Sequence, residues 1–173
     1  MKKLLRFCFG IYFYFLLPSM VFGLDKNLES GYCGISKKIY ALSIESEYLN
    51  FVLSEEKKVE VRLRVPDLEN LKQGDIIYLY DGLKRCAMLE VKEVNYYNSF
   101  DDLLAMEGVS NVIPNVSSEG KTGDEIIAEG VKVINSLPTY KNEVKRYGAI
   151  GIRLKYLSCF SEIPPGIIWI KDA

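Results

Sequence analysis

Glu55-Glu56-Lys57-Lys58-Val59-Glu60-Val61-Arg62-Leu63-Arg64-Val65-Pro66 is the stretch on which the reading of the fold turns. Val59, Val61, Leu63 and Val65 alternate with Lys58, Glu60, Arg62 and Arg64. Successive side chains of a strand point to opposite faces, so this period of two predicts a half-buried strand. One face enters a core. The other carries a row of charges in the order plus, minus, plus, plus. Pro66 has no amide hydrogen for a ladder and ends the strand.

Outward from this strand, other segments read as short elements. Upstream, Ile39–Ile44 is apolar with β-branched ends and predicts a buried strand. Ser46 is placed to cap a short helix whose Leu49, Val52 and Leu53 share one face. Downstream, Leu68–Gln73 is a connector and Gly74-Asp75 a turn into a strand over 76–80. Asp81-Gly82 signals a hairpin with a long return strand, Arg85–Tyr97, whose change of phase after Val91 predicts a bulge. Ser99 starts a helix with Asp101 and Asp102 in its first turn, and Gly108 closes it. Residues 110–124 read as a polar loop. Thr122 and Glu125 match a capping box ahead of the helical spacing Ile126, Ile127, Val131, Ile134. Pro138-Thr139-Tyr140 starts a short turn, Gly148–Tyr156 is a strand, and Ile167–Ile170 is a candidate edge strand. Hairpins dominate and no βαβα repetition occurs. The expected class is α+β: a small mixed or antiparallel β-barrel with short helices flanking its openings.

Composition narrows the chemistry. The 173 residues include no histidine. Histidine-based nucleophile relays, zinc sites built on histidine and histidine-held haem are therefore excluded. Proton transfer near neutral pH would fall to Lys, Tyr, Cys, Asp or Glu with displaced pKa values. Nothing calls for a metal or cofactor.

Residues 1–23 stand apart. Lys2, Lys3 and Arg6 precede an uncharged apolar run from Phe7 to Phe22, and Val21-Phe22-Gly23 resembles a cleavage site. The anatomy fits a signal peptide, or a membrane anchor if uncleaved. Translation beginning near Ile39 is the other reading, with residues 24–38 as a linker. Without residues 1–23 three cysteines remain, Cys33, Cys86 and Cys159, an odd set that suits a reducing compartment. Localisation thus divides between exported or anchored and cytoplasmic. From residue 24 onward, 19 basic residues face 23 acidic ones, so any nucleic-acid contact needs a local basic patch.

Two motifs invite a functional reading. Gly120-Lys121-Thr122 looks like the tail of a phosphate loop, but Asn115 stands where the first glycine belongs, and Thr122 serves better as a helix cap. The charge row is more informative. Its plain reading is a solvated strand face whose opposite charges neutralise one another. Its functional reading has Lys57, Glu60 and Arg62 converging at a barrel mouth, where they could hold a phosphate or a base edge.

Here the sequence resembles the ASCH family of the PUA-like superfamily. The family signature, roughly G-x-K-x-x-E/T-x-R, is matched by Lys57, Glu60 and Arg62, with Glu55 in the glycine position and hence an altered turn. Leu71–Ile77, with its K-x-G-D-like turn, also resembles the family. So do Ser99–Gly108, a helix ending in Glu-Gly, and Tyr147-Gly148-Ala149-Ile150 before the last strand. The resemblance spans residues 39–157 and leaves 158–173 as a C-terminal extension.

The resemblance implies a barrel with a cleft beside the charged strand, and RNA or a nucleotide or nucleoside as partner. Lys57 and Arg62 would contact phosphate or a base edge, Glu60 would orient Arg62 or accept from a base amino group, and Tyr147 or another cleft tyrosine would stack a base. Some family members cleave RNA, and some are amidohydrolases on acylated cytidine with a Lys-Thr-Glu site. Under that alternative, Lys57 with Glu60 or Glu107 would form the catalytic set. Glu60 occupies the threonine position and lacks the nucleophile's hydroxyl. A third reading, resting on residues 1–23 alone, is an exported or anchored barrel that binds another ligand such as a protein.

Overall fold

The alternation around residue 60 becomes strand β2, Val59–Leu63, at one edge of a six-stranded sheet. The computed structural model describes residues 37–82, 85–137 and 139–161, and the backbone of 168–169. The signal or anchor segment, Cys33 and almost all of the linker lie outside the described residues.

The elements run β1 (Ile39–Ser43), α1 (Ser46–Leu53), β2, β3 (Ile76–Tyr80), β4 (Cys86–Tyr97), α2 (Phe100–Glu107), α3 (Val109–Val112), α4 (Gly123–Ile134), α5 (Tyr140–Tyr147), β5 (Ala149–Phe160) and β6 (Ile168–Trp169). The strand order is β2-β5-β4-β3-β1-β6. β1 pairs in parallel with β3 and β6, and the other pairings are antiparallel. The fold is α+β with a mixed sheet. The sheet curls far enough that Arg62 on β2 hydrogen-bonds the carbonyl of Ser43 on β1, although three strands lie between them in the order.

Register explains how β2 meets the rest. Glu60 lies opposite Ile152 and Arg62 opposite Ile150, whereas Val59, Val61 and Leu63 lie opposite Arg153, Gly151 and Ala149. Directly opposed residues share a face. Glu60 and Arg62 therefore face inward with Ile150 and Ile152, which join a core of Leu42, Leu49, Ile77, Leu79 and Leu89. Val59 and Leu63 face a second core, with Phe100, Leu103, Leu104 and Ile134 from the helices. Each such side chain stabilises by roughly 1.5–3 kcal/mol when fully buried. The expected half-buried strand is thus corrected. β2 is covered on both faces, and only Lys58 and Arg64 at its ends keep their charges exposed.

Other boundaries also differ from expectation. Ser46 opens α1 rather than capping it; the cap position is Glu45, and the Ser46 hydroxyl donates to Asp81. The stretch read as a polar loop begins with α3, whose Val109 and Val112 are buried. The turn after Pro138 continues as the two-turn helix α5. Ser99, Gly108 and the Thr122–Glu125 box terminate their helices as expected.

Glu55 settles the turn before Lys57. It adopts φ 59°, the left-handed conformation, with its amide donating to Val52 and the Lys57 amide to Phe51. The turn is kept without glycine, at a cost of about 1–2 kcal/mol for a residue with a Cβ. Glu55→Gly is expected to raise stability by roughly 1 kcal/mol in urea unfolding. A neutral or negative change would show that Glu55 gains compensating contacts there.

Candidate functional site

Lys57 emerges from that turn into the interior. Its ammonium donates to the carbonyls of Val59 at 2.9 Å and Val112 at 2.7 Å, and lies 3.3 Å from Glu60 Oε2. Arg62 donates from Nε to Glu60 Oε1 at 2.8 Å and reaches the Ser43 carbonyl with Nη2. Lys57, Glu60 and Arg62 are 7%, 4% and 9% exposed, which excludes the solvated-face reading. Two cations share one carboxylate, and water screens none of them well. Burial drives the Lys57 amine below its usual range; the Glu60 charge opposes that shift and the Arg62 charge adds to it.

These three groups border a cleft of about 540 Å³. Tyr48 from α1, Val112 and Ile113, Ile134 and Leu137 at and just beyond the end of α4, and Tyr140 from α5 are part of its wall. The Lys57 ammonium lies 5.7 Å from the Tyr48 ring centroid. Apolar walls with a few convergent polar groups are typical of small-molecule sites. Glu60 Oε2 is buried and receives no hydrogen bond of its own, although the Lys57 charge is close. A buried acceptor in that state favours a donor arriving from a ligand.

Glu107 does not join this group. It sits at the end of α2 and accepts from Tyr97 Oη at 2.6 Å, Asn95 at 3.0 Å and Arg153 Nε at 2.8 Å. Asn95 and Tyr97 oppose Gly151 and Ala149, on the sheet face away from Glu60 and Arg62. Glu107 thus faces away from Glu60 and Arg62 and does not border the cleft, which corrects its pairing with Lys57. Burial pushes the Glu107 carboxyl up, but the bonds from Tyr97, Asn95 and Arg153 outweigh it and hold the group below its ordinary range. Gly151 makes room for it, since a Cβ there would stand 3.3 Å from Glu107 Oε1.

Tyr147 is corrected as well. It ends α5, with its ring 4.9 Å from the Arg146 guanidinium carbon, and does not border the cleft. The aromatic side chains there are Tyr48 and Tyr140, and Tyr140 already stacks on Phe100. Sequence reasoning missed Tyr48 and the carbonyls of Ser43 and Val112. Carbonyls leave no mark in a sequence, and Tyr48 lies nine positions before Lys57 with no spacing rule to join them.

The ASCH domain description matches residues 42–157, from β1 into β5. The chain belongs to the ASCH domain family. This ASCH domain is similar to the crystal structure of hypothetical protein PH0355, at 31% identity and a TM-score of 0.58, covering 69% of this chain and 99% of the other. It is also similar to the solution NMR structure of protein PF0455 from Pyrococcus furiosus, at 30% identity and a TM-score of 0.53, over 69% of this chain and 98% of that one. No curated protein matches. The matched stretch includes Lys57, Glu60 and Arg62, three buried charges that border the cleft.

Proposed function

We propose that the ASCH domain is a binding module for a nucleoside or for one nucleotide of single-stranded RNA, held base first in the cleft. The observation that carries this is the Glu60 carboxylate buried at the cleft, held by Arg62 at 2.8 Å and facing the Lys57 ammonium at 3.3 Å, with no close hydrogen-bond donor on its Oε2. A base amino or imino group supplies such a donor, and Tyr48 offers a ring on which the base can stack. Lys57 and Arg62 already spend donors on Glu60 and on main-chain carbonyls, which favours a base edge over a phosphate as the group met at the cleft floor.

The test is titration of the full chain with the four ribonucleosides and short RNAs, beside Lys57→Met and Tyr48→Ala, with circular dichroism as a check on folding. Each variant is expected to bind at least about tenfold more weakly, since stacking alone contributes roughly 1–3 kcal/mol per base. Equal binding by all three proteins, or none by the wild type, refutes the reading.

A second reading, hydrolysis of a modified nucleoside or of RNA in the same cleft, has one observation in its favour. Burial holds the Lys57 amine below its usual range, and it faces a carboxylate at 3.3 Å. Such a pair can exchange a proton. Turnover of acylated cytidine or RNA that disappears in Lys57→Met would support it.

A further inference from the structure

Behind Lys57 lies a second concavity of about 690 Å³, distinct from the cleft in its chemistry. Lys58, Lys92, Arg153 and Lys155 line it, all exposed, and Glu55 is the one carboxylate among its lining residues. From residue 24 onward acidic residues outnumber basic ones by 23 to 19, so this clustering runs against the composition.

The backbone builds the cluster. β4 shifts register between Val91, opposite Leu154, and Glu93, opposite Arg153, so Lys92 has no partner in the ladder. A bulged residue is re-aimed relative to its neighbours. Arg153 and Lys155 are two apart on β5 and share a face. Lys58 is fixed beside them, its carbonyl accepting from the Leu154 amide at 2.9 Å and its amide donating to Asn111 at 2.9 Å.

Neutralisation is incomplete. Lys92 pairs with Glu90 at 2.9 Å, and Arg153 with Glu107 and Glu93. Lys58 and Lys155 make no ion pair among the described residues. The hydrogen bond from Lys92, together with the charges of Lys92, Lys37 and Lys155, holds the Glu90 carboxyl below its ordinary range.

We propose that this groove binds the phosphodiester backbone of a single-stranded nucleic acid, with Lys58, Lys92, Arg153 and Lys155 as the phosphate contacts. The proposal rests on the base-binding reading only for the link between the sites: Lys57 lines both, so a strand with one base in the cleft has its backbone beside the groove. A concave track with several cations and a half-buried tyrosine, Tyr156, suits a flexible strand better than the broad surface of a bilayer.

The experiment compares the full-length wild type with a Lys58→Ala/Lys155→Ala double variant. Both positions are exposed, and neither borders the cleft. Probes are an RNA of about eight nucleotides, the four nucleosides, and phosphatidylcholine vesicles containing phosphatidylserine. The wild type should bind the RNA more tightly than any nucleoside, with affinity falling as salt rises. The double variant should bind it roughly tenfold more weakly, with a log–log salt slope shallower by about 1.4 for two lost contacts. Nucleoside affinity should not change. RNA binding weakened in the variant while neither protein binds nucleosides supports the groove and overturns the cleft reading instead. Equal RNA affinity and slope in the two proteins overturns the groove. So does tighter binding to the vesicles than to the RNA.

Discussion

Glu60→Ala should lower the unfolding free energy by about 3–5 kcal/mol at neutral pH, a large part of a typical domain's stability. The Glu60 carboxylate is the shared counter-charge of Lys57 and Arg62, both buried. Removing it takes the paired carboxylate from Lys57 and one partner from Arg62, where water screens charge poorly. The deficit should also depend on pH. Burial already lowers the Lys57 pKa, and loss of Glu60, which raises it, lowers it further. A lysine depressed in the folded state binds fewer protons folded than unfolded, so stability rises with pH between its folded pKa and the ordinary lysine value. The variant should therefore recover part of its deficit as pH climbs toward that value, while Arg62 stays charged. Urea unfolding between neutral and alkaline pH measures both effects. A deficit under about 1 kcal/mol would mean that the three charges are hydrated like surface pairs.

Gly148→Ala should be nearly as damaging, for reasons of backbone rather than charge. Gly148 ends α5 with φ 76° and ψ −172°, a region that only glycine occupies readily. A Cβ there would stand 2.6 Å from the Tyr97 carbonyl oxygen, which belongs to β4 and is held in its ladder. Strain and overlap together should cost about 3 kcal/mol or more. Gly120→Ala is the control: φ is +68°, but nothing lies within 4 Å of the added carbon. A loss no larger at Gly148 than at Gly120 would show that the junction yields easily.

Much of the fold was legible because local rules dominate it. Period two marked β2, cap chemistry marked α2 and α4, and the change of phase after Val91 marked the bulge that frees Lys92. α3 and α5 were not legible. α3 is a single turn, too short for periodicity, and α5 carries mostly polar residues with Tyr140 as its buried side chain. The site was half legible. The spacing of Lys57, Glu60 and Arg62 brought the right side chains together. The alternation then suggested solvent on their face, because a sequence does not show that a sheet will curl over its own edge. Glu107 was misplaced for a similar reason. Its partners Asn95, Tyr97 and Arg153 come from two strands, and only their register reveals which side of the sheet they occupy.

Arg153 differs from its neighbours in one respect. Its Nε is tethered to Glu107, a carboxylate with no accessible surface of its own, while the guanidinium stays about half exposed. Lys58 and Lys155 are long, untethered chains, and ordering such a side chain forfeits up to about 2 kcal/mol of rotamer freedom. The guanidinium has already surrendered that freedom during folding. An incoming anion would thus meet one rigid post among mobile ones, and that post can set where along the groove the anion comes to rest.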